Sequence, residues 1–179
     1  MLRSRLPSTA PDHPHSFTLT GILIAIVLIS TGCGGMNGTY IEPPKGPRGL
    51  CSLIVDNNFS SDIVIKLYEV KDPTQALHYM YVSGKSTAVV EGIAPGNLMM
   101  RYSMGREWDK TKKMFLHDRA NFETDQVFKF EQSETEVSTS DGIRKEKHWS
   151  VQQLKLNANG VEGNVTTSQI DDDEFQDRK

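Results

Sequence analysis

The chain has 179 residues, with 20 Lys and Arg against 23 Asp and Glu and a net charge of −3. A mildly acidic chain whose basic residues are scattered, with Lys110, Lys112 and Lys113 a local cluster, has no electrostatic footprint for nucleic acid. The length suits one ordinary domain, burying about two-thirds of its unfolded surface.

Arg3 and Arg5 precede an uncharged apolar run, Phe17–Ser30, and Asp12 is the only acid before it. The run has the length of a signal-peptide core and falls short of the ~18 apolar residues that suggest a spanning helix. It ends Leu28-Ile29-Ser30-Thr31-Gly32-Cys33, small residues leading into a cysteine. This end resembles the lipobox of bacterial lipoproteins, with one departure: Ser30 stands where an aliphatic residue is usual. The resemblance implies cleavage before Cys33, so that 1–32 is a lipoprotein signal peptide. It also implies acylation of the Cys33 sulfur, with membrane lipid as its partner. Several acyl chains anchor stably, whereas a single chain, at ~0.8 kcal/mol per buried CH₂, binds marginally. Gly34, rather than Asp, after the cysteine implies the outer membrane where the cell has one. The alternatives are an uncleaved anchor or a plain signal peptide with Cys33 incidental, in which case Cys33 and Cys51 can pair.

From Cys33 to Gly49 the chain is rich in Gly and Pro, including Pro43-Pro44-Lys45-Gly46-Pro47. Such composition predicts a tether over 33–49, part flexible and part extended, that lifts a domain off the bilayer. From Leu50 the apolar residues recur with period two, the signature of strands. Cys51, Leu53 and Val55 share a face, as do Ile63, Ile65 and Leu67, then Leu77, Tyr79 and Tyr81. Further strands are expected over 86–91, 97–103, 126–131 and 148–156, the last with a bulge near Gln152-Gln153 where the phase changes. Turn chemistry separates them at Asp56-Asn57-Asn58, Asp72-Pro73, Ser83-Gly84-Lys85 and Pro95-Gly96-Asn97. The pattern predicts an all-β fold over 50–175, a single antiparallel β-sandwich of roughly seven to nine short strands. Gly105–Asp125 lacks clean periodicity and is expected to be a large loop. Ile170–Phe175 is expected to form one helical turn, with Ser168 as its cap, before a polar tail over 176–179. Cys51 reads as a buried core thiol.

Thr87–Tyr102, with Pro95-Gly96 at its turn, resembles the strand–turn–strand unit of carboxypeptidase-regulatory-like (transthyretin-like) sandwiches. More broadly, 50–175 resembles small bacterial all-β domains of unassigned activity. The shared residues are an Asn-rich first turn, Asp62 to Leu67, Met80-Tyr81-Val82, Gly105 with Trp108 and Asp109, and Gly163-Asn164 with Phe175. Both resemblances imply architecture and bring no chemistry.

Candidate chemistry is sparse. Gly84-Lys85-Ser86 lacks the Gly that a phosphate loop places five residues earlier, where Tyr79 stands, so it reads as a hairpin turn. His78, His117 and His148 show no metal-ligand spacing, and His78 and His148 are expected to face solvent or an edge. His117-Asp118 lies in the expected loop, but no Gly-x-Ser-x-Gly supplies a nucleophile, so no residue is assigned a catalytic role. Asp171-Asp172-Asp173-Glu174 lacks the alternate spacing and Gly of a calcium loop and reads as the acidic start of the helical turn, with Phe175 against the sheet. No metal or cofactor is expected. Trp108 and Asp109 are the candidate ligand-contact residues, since an aromatic beside a carboxylate in a loop can hold a sugar or peptide. The competing reading has Trp108, Met114 and Phe115 folded back as a lid on one end of the sandwich. The expectation is a non-enzymatic cell-envelope lipoprotein whose domain is structural or binds an envelope protein. The alternative is a carbohydrate- or peptide-binding accessory module using the Trp108 loop.

Overall fold

The computed structural model describes residues 35–140, 142–157 and 163–177; Cys33 and the segment before it lie outside the described residues. The strands are β1 (Tyr40–Glu42), β2 (Cys51–Asn57), β3 (Asp62–Glu69), β4 (His78–Val82), β5 (Ser86–Ile93) and β6 (Gly96–Asp109). They continue with β7 (Met114–Thr124), β8 (Phe128–Phe130), β9 (Gln132–Thr139), β10 (Gly142–Trp149), β11 (Val151–Leu156) and β12 (Thr167–Ile170), and α1 (Asp172–Phe175) closes the series. The main sheet runs β1-β4-β3-β6-β7-β12 with β8 also on β6, and a smaller sheet runs β11-β2-β5. Among the described residues β9 and β10 pair only with each other. The fold is all-β and sandwich-like.

The period-two pattern does what it implies. Cys51, Leu53 and Val55 of the small sheet face Ile63, Ile65 and Leu67 of the main sheet in one core, joined by Met100, Tyr102, Phe128, Phe130 and Leu154. All but a few per cent of their surface is removed from water. At roughly 1.5–3 kcal/mol for each large apolar side chain, this burial is the main stabilising term.

β3 and β4 are buried on their other face too. Val64, Tyr79, Tyr81, Phe115 and Phe175 form a second cluster, with Met36, Ile41, Trp108 and Ile170 packed on it. Lys66 lies on this outer face, 4% exposed. Its Nζ donates to the Phe175 carbonyl at 3.1 Å and to Asp177 Oδ1 at 3.0 Å. It also sits 4.8 Å from the centre of the Tyr79 ring and 4.9 Å from that of Phe175. Asp177 further accepts the Tyr68 hydroxyl at 3.0 Å and the Ala76 amide at 3.2 Å. Burial lowers the Lys66 pKa against the raising effect of Asp177. For Asp177 burial works upward, but the Lys66 ammonium and these donors together hold it below the usual carboxylate range.

Several elements differ from expectation. Gly105–Asp125 is not a loop: it is the end of β6 and all of β7, a twisted hairpin in register Trp108↔Phe115 and Asp109↔Met114. Its positive-φ residues Glu107 (58°), Lys113 (52°) and Asp118 (52°) break the alternation that periodicity detects. Segment 33–49 is no loose tether where it is described: β1 pairs with β4, the Gly38 amide donates to Tyr81 O, and the Lys45 amide to Leu77 O. The phase change between Trp149 and Leu154 is a change of sheet at Ser150, not a bulge, since β10 belongs to the hairpin and β11 pairs with β2. That β11–β2 pairing is parallel, so the sandwich is not purely antiparallel. Asp171, not Ser168, caps α1, and the Glu174 carboxylate accepts the Asp171 amide at 3.2 Å.

His78 is buried rather than solvent-facing, 5% exposed, with the Tyr40 hydroxyl 3.1 Å from Nδ1. Burial lowers its pKa to about 4. The unfolded chain takes up this proton near pH ~6.5 and the folded chain only near 4, so the associated stability is complete above pH ~6.5 and lost as pH falls through that window. The loss at the acid end is about 3 kcal/mol. His78→Leu should therefore show a flatter stability profile than the parent chain in urea melts at pH 7 and pH 4.5; equal slopes would overturn the assignment.

Candidate functional site

Trp108 and Asp109 come together at the tip of the β6–β7 hairpin, and their local roles are clear. The Asp109 carboxylate accepts the Thr111 amide at 2.8 Å and the Lys112 amide at 3.0 Å, which closes the turn and lowers its pKa. The Trp108 ring meets Phe115 edge-on at 5.1 Å and Tyr81 at 5.9 Å. Gly105 allows this approach, because a Cβ there would lie 2.5 Å from that of Phe115. The Trp108 indole Nε1 is enclosed and has no hydrogen-bond partner among the described residues. Beside it runs a groove of about 430 Å³ lined by Met36, Tyr40, Ile41, Trp108 and Lys110.

The other sequence candidates are dispersed. His117 lies 3.5 Å from Glu107, and Arg106 pairs with Asp118 at 2.5 Å, all exposed on the hairpin. Asp172 is engaged by Arg119 and by Asn121 Nδ2. Among the described residues no three His, Cys, Asp or Glu side chains converge as a metal site. Lys85 donates to Asn58 O at 2.6 Å, which ties down the turn it occupies. Cys51 is a free thiol with no exposed surface, its Sγ 3.3 Å from Glu131 O.

The feature that sequence reasoning missed is the arm formed by β9 and β10. Its root is fixed: the Ser150 amide donates to Glu131 O at 2.9 Å, Glu131 donates back to Ser150 Oγ at 2.9 Å, and the Leu50 amide donates to Gln132 Oε1 at 3.1 Å. Beyond the root the ladder runs in unbroken register from Gln132↔Trp149 to Thr139↔Gly142. Ile143 is 71% exposed, and Trp149 51%. Trp149 and His148 line a cleft of about 570 Å³ with Pro95, Phe130, Gln132 and Ser133. Two signals in the sequence pointed here: Asp141-Gly142, a hairpin dipeptide, and Thr135-Glu-Val-Ser-Thr139, rich in β-branched residues.

No protein-family model matches the chain, and comparisons with curated proteins and with solved structures give no match.

The two tryptophans should behave differently. Trp108→Ala should lower stability by about 2–3 kcal/mol, as expected for a packed aromatic. Trp149→Ala should cost less than ~0.5 kcal/mol. Urea melts of the two variants check this, and equal losses would mean that Trp149 is packed as well.

Proposed function

We propose that this chain is a membrane-anchored envelope lipoprotein, acylated at Cys33, whose sandwich has a structural or protein-binding role exercised through the β9–β10 arm. The anchor is supported by the charged start, the apolar run and Ser30-Thr31-Gly32-Cys33. The binding role rests on one observation: a two-stranded ribbon with exposed Ile143 and Trp149 that pairs with no other strand among the described residues. An isolated two-stranded hairpin is at best marginally stable in water, so a partner that covers it gains from the contact. The envelope, and the outer membrane by the Gly34 criterion, is the location this reading gives.

A second reading, an accessory module for a carbohydrate or peptide, is favoured by the Trp108 Nε1, without a partner among the described residues, beside its groove. A sugar hydroxyl or peptide carbonyl would satisfy that donor.

Labelled palmitate should enter the parent chain and not Cys33→Ala; continued labelling of the variant removes the anchor. A photo-reactive side chain at Ile143 or Trp149 should capture protein in cells, while one at exposed Lys71 should not. Equal capture at all three positions would remove the arm as the contact. For the second reading, tryptophan fluorescence is titrated with glycans and muropeptides, and a Trp108→Phe variant with unchanged binding excludes that groove.

A further inference from the structure

The edges of the sandwich are plugged, short or kinked. On β5, Asn37 Nδ2 donates to Thr87 O at 3.0 Å. On β11, the Asn164 side chain accepts the Lys155 amide and donates to Gln153 O, both at 2.7 Å. The main sheet ends in β1 and β12, of 3 and 4 residues, and β1 is followed by Pro43 and Pro44. The part of β7 beyond β12 is kinked at Asp118. These are the devices that keep sheet edges from pairing with other chains. The arm has charge but no plug, kink or proline: β9 and β10 are 8 residues each, and among the described residues no further strand pairs with their outer edges.

Those two edges have opposite charge. β9 carries Glu134 and Glu136 and no basic residue, whereas β10 carries Arg144, Lys145 and Lys147 with Glu146. Glu134, Glu136, Lys145 and Lys147 share one face, by the register Lys147↔Glu134 and Lys145↔Glu136. Lys145 lies 3.0 Å from Glu134 and 3.9 Å from Glu136, and Lys147 has no ion-pair partner among the described residues. Ile143 and Trp149 are on this same face of β10, one at each end.

We propose that the arm's occupant is the arm of a second copy of this chain, with β10 of one copy lying antiparallel to β9 of the next. This deepens the protein-binding reading and rests on it for the arm as contact. Opposite charges side by side on neighbouring strands stabilise, and like charges destabilise. Pairing β9 with β9, or β10 with β10, would set like charges together, so the symmetric arrangement is disfavoured. Head-to-tail pairing gives Lys147 the carboxylate it lacks and repeats the Glu–Lys ladder at every step. Such an interface does not close on itself and generates an open row of copies.

The test uses the purified full chain. Glu134→Cys and Lys147→Cys chains, oxidised together, should form an intermolecular disulfide well above the level of either alone or of the parent chain, whose Cys33 and Cys51 set the background. Sedimentation should show concentration-dependent association that weakens about 10-fold or more in the Lys145→Glu/Lys147→Glu variant, where cross-strand pairs change sign. It should also weaken at about 1 M salt, where screening contracts to ~3 Å. Mixing that variant with Glu134→Lys/Glu136→Lys should restore association, and urea melts matching the parent's confirm that both cores are folded. A monomer at all concentrations, or Glu134→Cys cross-linking as well alone as in the mixture, overturns the proposal. Capture of another protein by the Ile143 probe without self-cross-linking sinks self-pairing and leaves the protein-binding reading standing; no capture of any kind removes both.

Discussion

β3 and β4 carry apolar or aromatic residues on both faces, so water has to be excluded from both sides of the middle of the main sheet. The small sheet covers one side. The other is covered by pieces far apart in sequence: Met36 and Ile41 from the N-terminal segment, Trp108 and Phe115 from the β6–β7 hairpin, and Phe175 from α1. Lys66 lies beneath this second cover, and its ammonium has to be paired where it lies, because an unpaired buried charge is strongly destabilising. Asp177 and the Phe175 carbonyl do this, so one buried cation fastens the C-terminal end of the described chain onto the sheet.

The fold was legible wherever one face of a strand is dry and the other wet. β2, β5 and β6 announce themselves through that alternation, and the class follows from them. Legibility failed in two physical situations. The β6–β7 hairpin has positive-φ residues that throw side chains out of phase, so its pattern reads as a loop. β9 and β10 bury neither face, so no apolar period exists to be read. His78 was misplaced because a strand buried on both faces gives a polar residue no wet side to occupy.

The candidate site was legible only in part. The Gly105, Trp108 and Asp109 grouping is real in space, but each member has a structural job: clearance for Phe115, ring packing, and a turn closed through two amides. The other residues that carry the broader resemblance are similar. Asp62 accepts the Tyr81 hydroxyl at 2.6 Å and the Gly84 amide at 2.8 Å, Asn57 holds the carbonyls of Ser61 and Ser83, and Asn164 seals β11. Polar residues that look chemical in a linear string are here spent on closing turns and edges. The arm has few such residues, and of them the sequence singled out only His148, as a side chain facing solvent or an edge.

The fastening of the N-terminal segment to β4 and β5 has a further consequence. Met36 already packs on the outer cluster, so only Gly34 and Gly35 separate Cys33 from the folded body. Two extended residues reach about 7 Å. With Cys33 acylated, as proposed, the domain is leashed at the headgroups rather than suspended above them. Neighbouring copies would then diffuse in two dimensions at one common height, which raises the effective concentration of each arm near the next.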